Sequence, residues 1–97
     1  MATYIMALSI TPGSKKSNPE RSRLINESLE VFSQESVTVN ELFATLGRFD
    51  FIVKFETENQ QLVFKIASEI NKLGILDTET WPVIPFNDFS EILDSEL

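Results

Sequence analysis

The sequence predicts an α+β fold with the element order strand, helix, strand, strand, helix, strand, followed by a short C-terminal helix. Three observations predict it. Residues 3–10 are rich in β-forming side chains and are apolar on both parities, which is typical of a central strand. Residues 37–56 alternate like two strands joined at Gly47 and Arg48. Apolar stripes of helical spacing lie on either side of that hairpin.

The register of the hairpin follows from its predicted turn. Gly47 at the first position of a two-residue loop suits a type II′ turn, because Gly tolerates a positive φ. The turn then pairs Thr45 with Asp50 and, further out, Glu41 with Lys54, whose opposite charges support the register. One face is apolar and is predicted to lie against helices: Leu42, Ala44, Leu46, Phe49, Phe51, Val53 and Phe55. The other face is mixed: Glu41, Phe43, Thr45, Asp50, Ile52 and Lys54.

Two long helices flank the hairpin. The first is predicted over residues 18–34, with Asn18 as N-cap and Pro19 at its first position. Thr57 and Gln60 have capping-box spacing and predict the start of the second helix. Its predicted end is at Gly74, which can adopt a positive φ. The predicted core-facing stripes are Leu24, Ile25, Leu29 and Phe32 in the first helix, and Val63, Ile66, Ala67, Ile70 and Leu73 in the second.

Residues 75–83 form the predicted fourth strand, in which Pro82 is compatible with a sheet edge. Right-handed crossovers place the first and third strands in the centre and give the strand order 4-1-3-2. The result is a ferredoxin-like sandwich with both long helices on one face of an antiparallel sheet, and we expect residues 1–97 to form a single domain. The second face carries Phe43 and Ile52, so it also needs a cover. A second copy of the chain is the economical cover, which gives a dimeric α/β barrel.

Composition excludes several kinds of chemistry. The 97 residues include no cysteine and no histidine, which removes disulfides, thiolate nucleophiles, Cys/His zinc sites and histidine acid–base catalysis. We expect no cofactor and no metal ion. The net charge of −7 repels phosphates and argues against nucleic acid as a partner. No apolar run approaches the roughly 20 residues that span a bilayer, and the N-terminal residues lack the basic region of a signal peptide. We therefore expect a cytoplasmic protein with no membrane partner.

The hairpin also resembles the signature of a known family. Residues 45–51, Thr-Leu-Gly-Arg-Phe-Asp-Phe, look like the GYD-domain motif, with Phe49 where that family usually has Tyr. Four similar blocks follow the expected order: Tyr4-Ile5-Met6, Pro19-Glu20-Arg21, Thr78-Glu79-Thr80 and Phe89-Ser90-Glu91-Ile92-Leu93. The resemblance implies a ferredoxin-like fold related to dimeric α/β barrels, and it brings no established activity and no catalytic residues. Our register places Phe49 on the helix-facing side, so the change from Tyr is interpreted as a matter of packing.

Candidate ligand-binding residues lie on the mixed face, which would line the lumen of a barrel. Thr45 and Asp50 are predicted neighbours there. Asp50 either acts as a general base, if it is buried with too few partners, or holds the turn by accepting hydrogen bonds from Thr45 and backbone amides.

The first and fourth strands supply three more candidates. Glu79 could meet Asp50 or its symmetry mate in a carboxylate pair, whereas an exposed Glu79 would guard the sheet edge. Trp81 is either an anchor in the core or dimer interface or a platform for a ligand. Tyr4 is either an interface or core residue or a lumenal proton donor. The sequence leaves open which face of the fourth strand presents Glu79.

A dense basic cluster begins in the loop before the first helix. Lys15, Lys16 and Arg21 could hold an anion over a pocket, and the alternative is a solvated loop and helix start.

Two functions from different classes fit these residues. The first is a homodimeric module without assignable catalysis that binds a small molecule or another protein. The second is a cofactor-independent oxygenase or isomerase that uses the barrel lumen. The enzyme requires a lumenal cavity of ~300 Å³ or more with Asp50, Tyr4 or Trp81 on its wall. A lumen filled by the side chains of Phe43, Ile52 and Met6 would argue against it.

Overall fold

A computed structural model describes residues 2–11, 18–34 and 36–95 of the chain. The elements are β1 (Ala2–Ile10), α1 (Asn18–Gln34), β2 (Thr38–Ala44), β3 (Phe51–Thr57), α2 (Gln60–Lys72), β4 (Leu76–Val83) and α3 (Phe86–Ser95). The strands form one antiparallel sheet in the order β2-β3-β1-β4, so the predicted element order and strand order are confirmed. No helix among the described residues is both long enough and apolar enough to cross a membrane.

β1 is the central strand, and its two faces differ in what covers them. Tyr4, Met6 and Leu8 are buried on the side of the sheet that α1 and α2 cover. Because successive side chains of a strand point to opposite faces, Ile5 and Ala7 lie on the other side. Ala7 is fully buried there and Ile5 is half-buried, as the two-sided apolar pattern predicts.

Phe55 of β3 lies at the centre of the packing between the sheet and the helices. Its ring stacks on Tyr4 with 5.7 Å between ring centroids and meets Phe32 of α1 edge-on at 5.2 Å. Ser28 is the buried polar residue of α1, and its hydroxyl donates to the carbonyl of Leu24 at 2.8 Å. The other buried apolar residues of this core are Met6, Leu8, Val31, Val53, Val63, Ile66, Ile70, Ile75 and Leu76.

The ends of α2 are fixed by two different residues. Asn59 is the N-cap, because its side-chain oxygen accepts a hydrogen bond from the amide of Gln61 at 3.0 Å. The predicted capping box of Thr57 and Gln60 is therefore wrong, and the Thr57 hydroxyl instead accepts from the amide of Asn59 at 3.1 Å. Gly74 follows the helix with a φ of 74°, which confirms the predicted C-terminal stop.

The predicted hairpin register is confirmed, but its turn is wrong. Glu41 pairs with Lys54 and Ala44 with Phe51, and a β-bulge beyond Glu41 shifts the register further from the loop. Gly47 does not adopt the positive φ that a type II′ turn requires. The ladder ends at the Ala44–Phe51 pair, and residues 46–49 form a wider loop.

Two elements remain uncovered. Every residue of β2 is exposed, so the predicted burial of Leu42, Ala44 and Leu46 against helices is wrong. The helices lie over the other strands, since α1 reaches β3 through Phe32 and α2 packs on β3 and β4. No residue of α3 is buried. The radius of gyration is accordingly 15.4 Å, against about 12.5 Å for a compact chain of this length.

Substitution of Phe55 tests the placement of the core. Phe55→Ala removes a fully buried ring and is expected to lower the free energy of unfolding by about 3–5 kcal/mol. Phe64→Ala, at a Phe that is 71% exposed, is the matched control and should cost less than about 1 kcal/mol. Urea unfolding at one fixed protein concentration measures both, and equal losses would contradict this description of the core.

Candidate functional site

The candidate site is the face of the sheet opposite α1 and α2, which we call the open face. Alternation along the paired strands assigns to it Thr3, Ile5, Ala7, Ser9, Glu41, Phe43, Ile52, Lys54, Glu56, Asp77, Glu79, Trp81 and Val83. Ile5, Ile52, Trp81 and Val83 are half-buried, and Phe43 is 49% exposed. The open face therefore carries apolar side chains on all four strands, with Glu41 and Glu79 exposed on the two edge strands and Lys54 on the inner strand β3.

The loop after β2 contributes an aromatic side chain to this face. The ring of Phe49 meets the ring of Trp81 edge-on with 5.9 Å between their centroids. The guanidinium of Arg48 lies 5.5 Å from the centroid of the Phe49 ring, within the range of a cation–π contact. The predicted helix-facing position of Phe49 is therefore wrong, because Trp81 pairs with Ile5 on the open face.

Thr45 and Asp50 are brought together by the backbone of that loop. The amide of Thr45 donates to the carbonyl of Asp50 at 2.9 Å, and the Thr45 hydroxyl donates to the carbonyl of Phe49. The Asp50 carboxylate accepts a hydrogen bond from the amide of Ile10 at 2.8 Å, and the Asp50 amide donates to the carbonyl of Leu8 at 2.9 Å. Asp50 thus ties the loop to the end of β1, which is a structural use of its carboxylate.

Glu79 lies on the open face but not beside Asp50. Glu79 pairs with Ala7, and Asp50 directly precedes β3 on the other side of β1. Two interstrand spacings, roughly 10 Å, therefore separate them within one chain. Glu79 is exposed on an edge strand. In the part of the chain that the structure describes, no group of three or more carboxylates is placed to hold a metal ion.

Tyr4 lies on the opposite side of the sheet from Glu79 and Trp81. It faces the helices and lines a cavity of about 300 Å³ between α2 and β4, which is separate from the open face. The rest of the lining is Gln60, Val63, Phe64, Ala67, Thr78, Thr80 and Pro82. Tyr4 therefore cannot serve as a donor in a space between two open faces. Met6, predicted as a possible lumen filler, is buried on the same helix-facing side.

The basic cluster is only partly described. Lys15 and Lys16 lie outside the described residues. Arg21 lies in α1 and is half-buried, and its Nε is buried without a hydrogen-bond partner among the residues that the structure describes.

A groove of about 370 Å³ lies at one end of the open face. Its lining is Thr3, Ile5, Lys54, Val83, Ile84 and Pro85. Sequence reasoning had not singled out Lys54 as a site residue, although it placed this side chain on the mixed face. The ammonium of Lys54 lies 3.9 Å from the Glu41 carboxylate in a partly exposed ion pair. The groove thus joins apolar walls to one cationic group and one hydroxyl.

Comparison with known families places this arrangement in context. The family model of the GYD domain matches residues 4–93. This chain belongs to the GYD domain family. The structural position of the family motif is the loop from Thr45 to Asp50, which folds onto the open face next to Trp81. A comparison with curated proteins finds no significant match.

Solved structures share the fold at low sequence identity. FFRP-DM1 has a TM-score of 0.57 and 22% identity, with 87% of this chain and all of that chain (100%) covered. A hypothetical protein from Pyrococcus horikoshii has a TM-score of 0.54 and 24% identity, covering 88% of this chain and 92% of its own. A leucine response regulatory protein from Mycobacterium tuberculosis has a TM-score of 0.56 and 8% identity. The alignment covers 87% of this GYD-domain chain and 51% of the regulatory protein. These likenesses establish the ferredoxin-like fold.

The role of Asp50 is testable by stability. Asp50→Ala leaves the Ile10 amide without its acceptor and should lower the free energy of unfolding by about 1–3 kcal/mol. Glu79→Ala, on the exposed edge strand, should change it by less than about 0.5 kcal/mol. Thermal and urea unfolding of both variants compare the two carboxylates, and an unchanged Asp50→Ala variant would contradict the proposed tie to β1.

The aromatic contact has a built-in probe, since Trp81 is the single tryptophan of the chain. Phe49→Ala removes the edge-on ring and should shift Trp81 emission to longer wavelength, with a loss of about 0.5–1.5 kcal/mol from the ring pair alone. Phe49→Tyr restores the residue usual in the family and keeps the ring, so it should leave the emission close to that of the original chain. If both variants gave identical spectra, the ring pair would not determine the environment of Trp81.

Proposed function

We propose that this GYD-domain chain is a homodimeric module that binds a small molecule or another protein, with no assignable catalysis. The observation that carries the proposal is the open face, whose apolar residues are covered by none of the helices that the structure describes. Phe43 is half exposed there, and Ile5, Ile52 and Trp81 are half-buried. Apolar patches of this kind on otherwise charged proteins are typical of interaction surfaces.

The partner best suited to this face is a second copy. Two antiparallel sheets pack face to face at about 10 Å when both inner faces are apolar. A two-fold axis lets one patch meet itself, so the same residues serve both subunits. Glu41 and the exposed Glu79 lie on the two edge strands and would then remain towards the rim, where charge is tolerated. Lys54 lies on β3 beside Ile5, so it would lie between the two sheets, at the groove.

The groove at one end of the open face gives the dimer a place for a ligand. Its volume of about 370 Å³ falls in the range of small-molecule pockets, and a second sheet would close its open side. Ile5, Val83 and Ile84 supply apolar contact, while Lys54 supplies a donor. The Thr3 hydroxyl donates to the Glu56 carboxylate at 3.4 Å. A small apolar molecule that carries a hydrogen-bond acceptor or an anionic group is the class that this lining fits.

The structural neighbours agree with a binding role. They include a leucine response regulatory protein and a transcriptional regulator, and in both cases about half of the longer chain shares this fold. That likeness is one of fold and supports the proposal only by analogy. We expect the protein to act in the cytoplasm.

The enzyme alternative gains no support from the groove. A cofactor-independent oxygenase or isomerase needs an acid or base on the wall of its cavity. Lys54, the titratable side chain of the described groove lining, is paired with Glu41. Neither Asp50 nor Trp81 lines the groove, and Tyr4 lies on the opposite side of the sheet. The proposal therefore remains with binding.

A matched pair of substitutions tests the interface. Phe43→Asp places a charge among the apolar side chains of the open face and is expected to raise the dimer dissociation constant at least ~30-fold, as for a hot-spot residue. Phe64→Asp introduces the same charge at an exposed Phe on the helix side and should leave association unchanged. Native mass spectrometry and light scattering over a dilution series measure the subunit count.

The same mass spectra show any small molecule retained by the purified protein. A monomer at micromolar concentration, or equal effects of the two Phe substitutions, would contradict the proposed dimer. The emission of Trp81 should move to longer wavelength on dilution, because its ring lies on the surface that a partner would cover.

A further inference from the structure

β2 and α3 are the two elements that no other described part of the chain covers. Every residue of β2 is exposed, including Val39 and Leu42 on the helix-facing side of the sheet. α3 has no buried residue. Both nevertheless carry large apolar side chains, which a free surface does not favour.

α3 has a definite apolar side. Four large side chains, between 45% and 74% exposed, follow helical spacing: Phe86, Phe89, Ile92 and Leu93. Together they present on the order of 400 Å² of apolar surface, comparable to the largest patch of a typical monomer. Asp88, Glu91 and Asp94 occupy the remaining positions and favour water. The pattern is that of a helix that packs on one side and is solvated on the other.

The two elements do not cover each other within one chain. β2 and β4 are opposite edges of the sheet, three interstrand spacings or roughly 14 Å apart. α3 follows β4 after only Ile84 and Pro85. The ring of Pro85 fixes its own φ and restricts Ile84 to extended backbone, so the connection is short and stiff. α3 is thereby held away from the body of its own chain.

We propose that α3 of one copy packs against β2 of a second copy, on the side that bears Val39 and Leu42, and that the exchange is reciprocal. The inference rests on the proposed dimer. A two-fold axis along a barrel of two such sheets brings the β4 edge of each copy beside the β2 edge of the other. The helix that follows β4 then reaches the strand that lacks a helix, and this happens twice by symmetry.

The space between the two sheets decides on which side of β2 the partner's α3 can pack. Two facing sheets lie about 10 Å apart, which their own side chains fill, and a helix with side chains is itself about 10 Å wide. α3 therefore lies outside the pair of sheets, where Val39 and Leu42 are exposed. Its acidic positions remain towards solvent. The groove on the open face ends at Ile84 and Pro85, the residues that lead into α3, so the partner's β2 edge would complete its wall.

The absence of cysteine from the chain makes cross-linking a clean test. A tagged Leu42→Cys chain is mixed with an untagged Ile92→Cys chain and oxidised. The proposal predicts a disulfide-linked heterodimer on a non-reducing gel. The control replaces Leu42→Cys by Glu41→Cys, whose side chain points to the open face, and should give at least fivefold less product. Mixing single-cysteine chains ensures that any cross-link joins two copies.

A second measurement covers the case in which geometry hinders disulfide formation. Ile92→Asp alters an exposed residue outside the core, and it should raise the dimer dissociation constant at least tenfold. Asp88→Ala on the same helix should change it less than threefold. A dimer that shows neither the cross-link nor the effect of Ile92→Asp overturns the exchange of α3 and leaves the proposed function standing. A monomeric unsubstituted chain overturns both.

Discussion

Packing of Phe55 between Tyr4 of the central strand and Phe32 of α1 is the contact on which the rest of the structure depends. This contact turns alternate residues of β1 and β3 towards the helices. Because side chains in a strand alternate, a slip of one residue would exchange every buried residue of a strand for its neighbour. Ile5 and Ile52 are thereby sent to the open face. The apolar character of that face is thus a direct consequence of the way the core is built.

The position of the helices on one face of the sheet also explains why apolar surface stays exposed elsewhere in the described chain. The helix layer lies over β1, β3 and β4, and the bulge beyond Glu41 falls in β2 at the sheet edge. β2 is left with apolar residues on both sides, and the chain then leaves the opposite edge through a stiff connection into α3. A domain of this size buries a smaller fraction of its surface than a larger one, so exposed apolar residues weigh heavily on its stability. In the proposed dimer a second copy covers the apolar residues of β2 and α3. Because the dimer is symmetric, each of these contacts forms twice.

The fold could be predicted from periodicity, whereas the site depended on contacts distant in sequence. The pairing of Glu41 with Lys54 followed from alternation and charge, and Asn18–Gln34 from helical spacing. The turn was wrong because Gly47 was judged by its local preference, while Phe49 is held by Trp81, which lies in another strand. The side that Tyr4 faces could not be predicted either. β1 is apolar on both parities, so only the partners in α1 and β3 decide which parity is buried.

Two of the polar side chains that the sequence predicted for the site, Asp50 and Thr45, already make structural hydrogen bonds. Asp50 binds the Ile10 amide and the Thr45 hydroxyl binds the Phe49 carbonyl, so both serve the loop that carries the family motif. That loop presents position 49 to the open face. A Tyr at this position would bring a hydroxyl to the surface that the proposed second copy would cover, and a buried hydroxyl needs a hydrogen bond. Phe49 removes that requirement, so position 49 contributes apolar contact alone in the proposed dimer.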